Sequence, residues 1–163
     1  MSRLAVLWHR SGSALALREL EAAARSSKVA LQVLGVKTAD EIAGAFSAMH
    51  KERARAVFVI ADPMFFSERQ RISDLAITHR LPSIHGPSEY VEAGGLLSYG
   101  PNYPDLFRRA AIYVDKIVKG AKPGDLPIEQ PTKFELVISM KTARALGLTI
   151  PQSVLLRAGR LIE

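Results

Sequence analysis

The sequence predicts an α/β fold: a three-layer, doubly wound, mostly parallel sheet. Three observations carry that expectation. Short apolar runs of strand length alternate with amphipathic stretches of about ten to fifteen residues, the rhythm of βαβ units. The run Ala56 to Ala61 is unbroken and rich in Val and Ile, as in strands covered on both faces. Between the runs, apolar residues recur at i, i+3, i+4 and i+7, the period of a helix with one buried face.

Taken in order, Leu4 to Trp8 is the first strand, Arg10 to Ser13 a polar turn, and Ala14 to Arg25 a helix that buries Leu17, Leu20 and Ala24. Ala30 to Val36 is the second strand. Thr38 and Glu41 read as a capping box, and Ile42, Ala45, Phe46 and Met49 as the stripe of the helix it starts. Asp62 stands at the carboxyl end of the Ala56 to Ala61 strand. Ser67 with Gln70 reads as a second capping box, which starts the next helix at Ser67 and leaves Pro63, Met64, Phe65 and Phe66 outside it. Ile72, Leu75, Ala76 and His79 face the core, Pro82 stops the helix, and Ser83 to His85 begins another strand.

Ser88 to Gly94 leaves room for about one helical turn before the strand-like stretch Gly95 to Gly100. The long helix is entered through Asn102 or Tyr103, with Pro104 in its first turn, and is closed by Gly120. It carries two adjacent apolar stripes, Leu106, Ala110, Tyr113 and Ile117 beside Phe107, Ala111, Val114 and Val118, a wide face for a surface helix. Lys122 to Thr132, with three prolines, reads as an extended crossing. Phe134 to Ile138 is the last strand expected, Ser139 to Leu146 a short helix closed by Gly147, and Pro151 begins a terminal segment.

At 163 residues and 48% hydrophobic content, residues 1–163 form one domain around one core. No apolar run approaches the ~20 residues a membrane helix needs. The opening MSRLAVLW has neither a charged n-region nor a long apolar h-region, so no secretion leader is expected in the sequence as it stands. Zero cysteines exclude disulfide and thiol chemistry. A formal charge of +6 and a pI near 9.8 invite a nucleic-acid partner, but the Lys and Arg are scattered over different elements. A solvated basic surface is the reading, with no nucleic acid expected.

Ligands of open α/β sheets bind in the crevice beyond the strand carboxyl ends, where Asp62, Phe65, Phe66, His85 and Gly86 are expected. Ser11, Gly12 and Ser13 lie at a helix amino end, which suits an anion such as a carboxylate; the alternative is an N-cap at Ser13. Asp62 beside two Phe residues suits an ammonium group on an apolar body; the alternative is a turn cap packed by the rings. Together these features suggest an amino-acid-like ligand. The turn HRSGSA has a single glycine, too few for a phosphate loop or dinucleotide fingerprint. Ser11 or Ser13 with His85 and Asp62 lacks the nucleophile elbow of a hydrolase, so an enzyme is not expected. His9, His50, His79 and His85 show no paired metal spacing, and no metal or cofactor is called for.

The runs ALALRELEAAA, ADPMFFSERQRISDLA, EYVEAGGLLSYGPNYPDLFRRAA, VDKIVKGAKPGDLPIEQPTKFELVIS and KTARALGLTIPQSVL resemble the substrate-binding proteins of ABC transporters, in the family with binders of aromatic amino acids. The resemblance implies a type I periplasmic binding fold of two α/β lobes with the solute held between them, of which this chain is the carboxyl-terminal lobe. It implies an ABC permease as partner of the full-length protein and a periplasmic location; a cytoplasmic one is expected only if the given start is genuine. It maps cleft positions onto His9, Arg10, Ser11 and Ser13, onto Asp62 and the residues after it, and onto Gly86 through Glu89. Family members commonly carry Asn-Pro where this chain has His9-Arg10 and an aromatic where it has His85, so ligand identity does not transfer; Asn is frequent where it has Ser139, which affects the return strand more than the site. In the family the long helix packs on the amino-terminal lobe, which matches its wide face. Without that lobe a homodimer through Leu106, Phe107, Ala110, Tyr113, Val114 and Ile117 is expected. The alternative functions are a ligand-sensing or interaction domain of a regulator and, less favoured, an α/β hydrolase-type enzyme.

Overall fold

A computed structural model describes residues 3–163; Met1 and Ser2, and with them the start of the opening segment, lie outside the described residues. Seven strands form one sheet in the order β2-β1-β3-β4-β5-β6-β7. They are β1 (Arg3–His9), β2 (Ala30–Val36), β3 (Ala56–Val59), β4 (Ser83–His85), β5 (Leu97–Pro101), β6 (Phe134–Ser139) and β7 (Arg160–Ile162). The first five run parallel, β6 is antiparallel to β5, and β7 lies parallel to β6. The helices are α1 (Ala14–Ser26), α2 (Glu41–Lys51), α3 (Pro63–Ser67), α4 (Arg69–Thr78), α5 (Glu89–Glu92), α6 (Tyr103–Val118), α7 (Met140–Ala145) and α8 (Gln152–Leu155).

The core sits between this sheet and helices α2 and α4. Ala5 and Leu7 of β1, Val57 and Val59 of β3, Ile42, Phe46 and Met49 of α2, and Ile72 and Ala76 of α4 pack together with at most 2% exposure. Tyr90 of α5 and Phe65 of α3 belong to the same cluster.

Four boundaries depart from the sequence expectation, each for a local reason. The third strand pairs only over Ala56–Val59, although the Ile60 amide still donates to the Leu7 carbonyl at 3.1 Å. Helix α2 starts without a capping box, because the Glu41 carboxylate accepts the Lys37 amide at 2.8 Å instead of that of Thr38. The helix after β3 starts at Pro63, not Ser67. Asp62 is a better cap, its Oδ1 accepting the Met64 amide at 2.8 Å, and Pro63 fits the first helical position, where its missing N–H costs nothing. The Ser67 hydroxyl donates back to the Pro63 carbonyl, and a break at Glu68 separates α3 from α4. Finally, Phe134–Ser139 is not the last strand, since Arg160–Ile162 adds β7 beside it.

Helix α6 has no buried residue. The Pro-rich segment after it does not simply cross; it folds back along the helix. The Tyr113 hydroxyl donates to the Pro127 carbonyl at 2.7 Å, and Arg109 pairs with Glu129, whose carboxyl this hydrogen-bonded guanidinium holds below its ordinary pKa. A groove of about 460 Å³ remains between Leu106, Ala110, Tyr113 and Ile117 on one side and Leu126, Pro127 and Ile128 on the other. The second stripe is open: Phe107, Val114 and Val118 are exposed.

Candidate functional site

Strand order reverses at β1, which lies between β2 and β3, and the crevice beyond such a switch point is where an open α/β sheet takes its ligand. The last residue of β1 is His9, and Asp62 follows β3 on the neighbouring strand. Their side chains meet: His9 Nδ1 lies 2.9 Å from Asp62 Oδ2. A carboxylate has no proton to give, so Nδ1 carries the hydrogen and donates it, leaving Nε2 3.2 Å from the Ser11 hydroxyl. Asp62 therefore serves two masters, the first turn of α3 and the His9 ring. Its capping role is plain, and the lone pairs left on each oxygen remain for a further donor.

The other residues of the first turn divide. Ser13 caps α1, its hydroxyl accepting the Ala16 amide at 3.2 Å, as the N-cap reading expects. Arg10 turns sideways and donates to the Gly35 carbonyl at 2.9 Å, over β2 and away from the β3 end. Ser11 remains exposed beside His9.

Two expected site residues lie behind the crevice rather than on it. Phe65 is fully buried in the core and meets the His9 ring edge-on at 6.2 Å. His85, 1% exposed, stacks flat on Tyr90 with centroids 4.3 Å apart and planes 11° apart. Neither of its ring nitrogens has a partner, and burial pushes its pKa down to about 3, so the ring is neutral. The packing there is tight: a Cβ on Gly95 would stand 2.9 Å from His85 Nε2. Gly86 borders the same strand ends, where its carbonyl would lie 2.4 Å from any Cβ on Gly100, so that position admits only glycine.

What opens at the strand ends is a cavity of about 600 Å³. Asp62, Pro63 and Phe66 from the start of α3, Pro87, Glu89 and Tyr90 around α5, and Tyr103 and Phe107 from the first turns of α6 line it. Phe66 meets Tyr90 edge to face at 6.1 Å, so two rings form adjoining walls. Tyr90, 1% exposed, has a hydroxyl without a hydrogen-bond partner; burial first, and the nearby Asp62 carboxylate second, raise its pKa. Glu89 Oε2 is likewise shielded and unpartnered. Phe66, Glu89 and Asp62 were expected here. Pro87 lies within the expected stretch Gly86 through Glu89, whereas Tyr90, Tyr103 and Phe107 are wall residues that the sequence does not single out. Among the described residues no group of three His, Asp or Glu side chains is placed to hold a metal ion, and no helix is long and apolar enough to cross a membrane.

Residues 8–162 match a family model described as ABC transporter substrate binding protein. The chain belongs to this family. Its members are binding proteins rather than enzymes. A structure described as the ABC domain in complex with L-Trp from Streptococcus pneumonia superposes with a TM-score of 0.89 at 28% identity, over 99% of this chain and 55% of that one. A conserved domain protein from Vibrio cholerae gives 0.88 at 26%, over 98% and 54% respectively. A tyrosine-binding protein of Clostridioides difficile (strain R20291) is 25% identical over 114 residues, which are 70% of this chain and 33% of that protein. The chain thus spans about half the length of these solved relatives and a third of the curated one.

Proposed function

We propose that this chain is one lobe of a two-lobed solute receptor, which binds an aromatic amino-acid-like ligand in the strand-end cavity and hands it to an ABC permease outside the cytoplasmic membrane. The cavity carries the proposal: a volume of about 600 Å³ suits one small solute, and its walls pair aromatic rings with carboxylates. Phe66, Tyr103 and Phe107 offer faces for an aromatic body, with the buried Tyr90 ring behind them; Asp62 and Glu89 offer acceptors for an ammonium group. The relatives that carry tryptophan or are described as tyrosine-binding support the ligand class. Coverage of about half of each solved relative supports a second lobe, whose hinge closure would complete the site.

The open stripe of α6 supports the place where that lobe packs, and in its absence self-association through Phe107 and Val114, with Leu106, Ala110, Tyr113 and Ile117 flanking the groove. Light scattering at micromolar concentration is expected to find a dimer; a monomer contradicts that part of the proposal.

Calorimetry with L-tryptophan and L-tyrosine tests the binding claim. Saturable binding is expected, weak in the lobe alone (Kd of about 1 mM or below) and reduced about tenfold or more by Phe66→Ala. A chain that takes neither amino acid at millimolar concentration overturns the proposal.

A further inference from the structure

We infer that the cavity selects its solute by the ammonium group and not by the carboxylate, so that aromatic primary amines with no carboxylate are ligands of this chain; the inference rests on the solute-binding proposal above. The chain is strongly basic overall, yet its cavity is lined by Asp62 and Glu89 and by no Lys, Arg or His. Arg69, the cation beside it, sits 5.0 Å over the Phe66 ring, donates to the Phe66 carbonyl and does not line the cavity.

The polar atoms there are short of donors. Glu89 Oε2 is shielded from water and unpartnered, Asp62 keeps lone pairs beyond those it gives to Met64 and His9, and the unpartnered Tyr90 hydroxyl beside them is a donor as well as an acceptor. Shielded oxygens of this kind cost stability unless a donor meets them. An ammonium brings three N–H donors and no acceptor, and it is attracted to the faces of Phe66, Tyr103 and Phe107 as well. A carboxylate brings only acceptors and a charge of the same sign as the two already present. The Ser67 hydroxyl, one donor it would look for, is already spent on the Pro63 carbonyl. The charges of Asp62 and Glu89 oppose a further carboxylate more than the single neutral Tyr90 hydroxyl attracts it, so an amino acid turns its carboxylate out through the open side, and removing that group costs no affinity.

The test titrates this chain with L-tryptophan, tryptamine and indole-3-propionate, which share one ring system and differ in the charged ends. Tryptamine is expected to bind at least as tightly as L-tryptophan, and indole-3-propionate at least about tenfold more weakly. Glu89→Gln, which keeps shape while removing charge, is expected to weaken tryptamine about tenfold at an unchanged melting temperature. L-tryptophan binding with tryptamine about tenfold weaker overturns the inference and leaves the solute-binding proposal standing. Binding by none of the three overturns that proposal itself. Should Glu89→Gln unfold the chain, Asp62→Asn, whose amide oxygen can still cap α3, takes its place. A tryptamine affinity unmoved by whichever of the two variants folds overturns the assignment of the acceptors.

Discussion

In helix α2 the residues at helical spacing, Ile42, Ala45, Phe46 and Met49, are all 7% exposed or less, whereas in α6 the comparable stripe leaves Phe107 74% and Val118 80% exposed. Both helices show the apolar period that asks for a partner. Helix α2 finds it within the chain, in β2 and α4. Helix α6 leaves the sheet where β5 turns to its antiparallel neighbour, and the segment around Pro127 folds back along one side of it. An amphipathic pattern thus reports that a face needs covering, not where the cover comes from. In this chain the uncovered face and the solute cavity share a residue, since Phe107 belongs to both.

The sharpest way to break this contrast is to truncate the buried side. Phe46→Ala is expected to cost about 3–5 kcal/mol in urea unfolding, the usual loss for a fully enclosed ring. A cost under about 1 kcal/mol would mean that the α2 packing is not what it looks like. Next in size is the pH dependence contributed by His85. Its folded pKa of about 3 lies below the ~6.5 of an unfolded His, so the unfolded chain takes up a proton that the folded chain refuses. Stability from this group is complete above about pH 6.5 and is lost as pH falls toward 3, by about 2–3 kcal/mol at pH 4.5. Unfolding curves at pH 7 and 4.5 for the wild type and His85→Leu isolate it, because the difference between the two slopes belongs to His85.

Asp62→Ala comes third, about 1 kcal/mol from the lost cap of α3, with loss of the His9 partner seen as a shift of that ring's NMR signals. A neutral result would say that Asp62 is kept for the ligand alone. Phe107→Ala is the smallest on stability, within about 0.5 kcal/mol, since the ring has little to lose. Its effect is expected in self-association instead, read as a smaller mass by light scattering.

The fold was legible because the first three strands are largely apolar runs and the helices α1, α2 and α4 have stripes; β2 runs from Ala30 to Val36 as expected, and the α2 stripe is buried residue for residue. β7 escaped notice since three half-exposed residues carry no period. At Ser67 two local signals competed, and the Asp62-Pro63 pair outbid the Ser-Gln box because it combines a carboxylate cap with a preset φ. The site was legible in part. Asp62, Phe66 and Glu89 follow strands directly, so their place at the crevice is a matter of topology. Tyr90 carries no motif, and its isolation beside His85 exists only in three dimensions. His85 and Phe65 follow or end strands too, but strand-end position alone does not say which way a side chain turns. Phe107 was legible as a residue seeking a partner, not as a cavity wall, because Asp62 and Phe107 are far apart in sequence.

The most direct test of the central claim is an amide chemical-shift titration of this chain with L-tryptophan. The account predicts saturable shifts gathered at Asp62, Phe66, Glu89, Tyr90 and Phe107, around the cavity that these residues line. Shifts gathered instead along Leu126 to Gln130 under α6, or none at millimolar ligand, would contradict it.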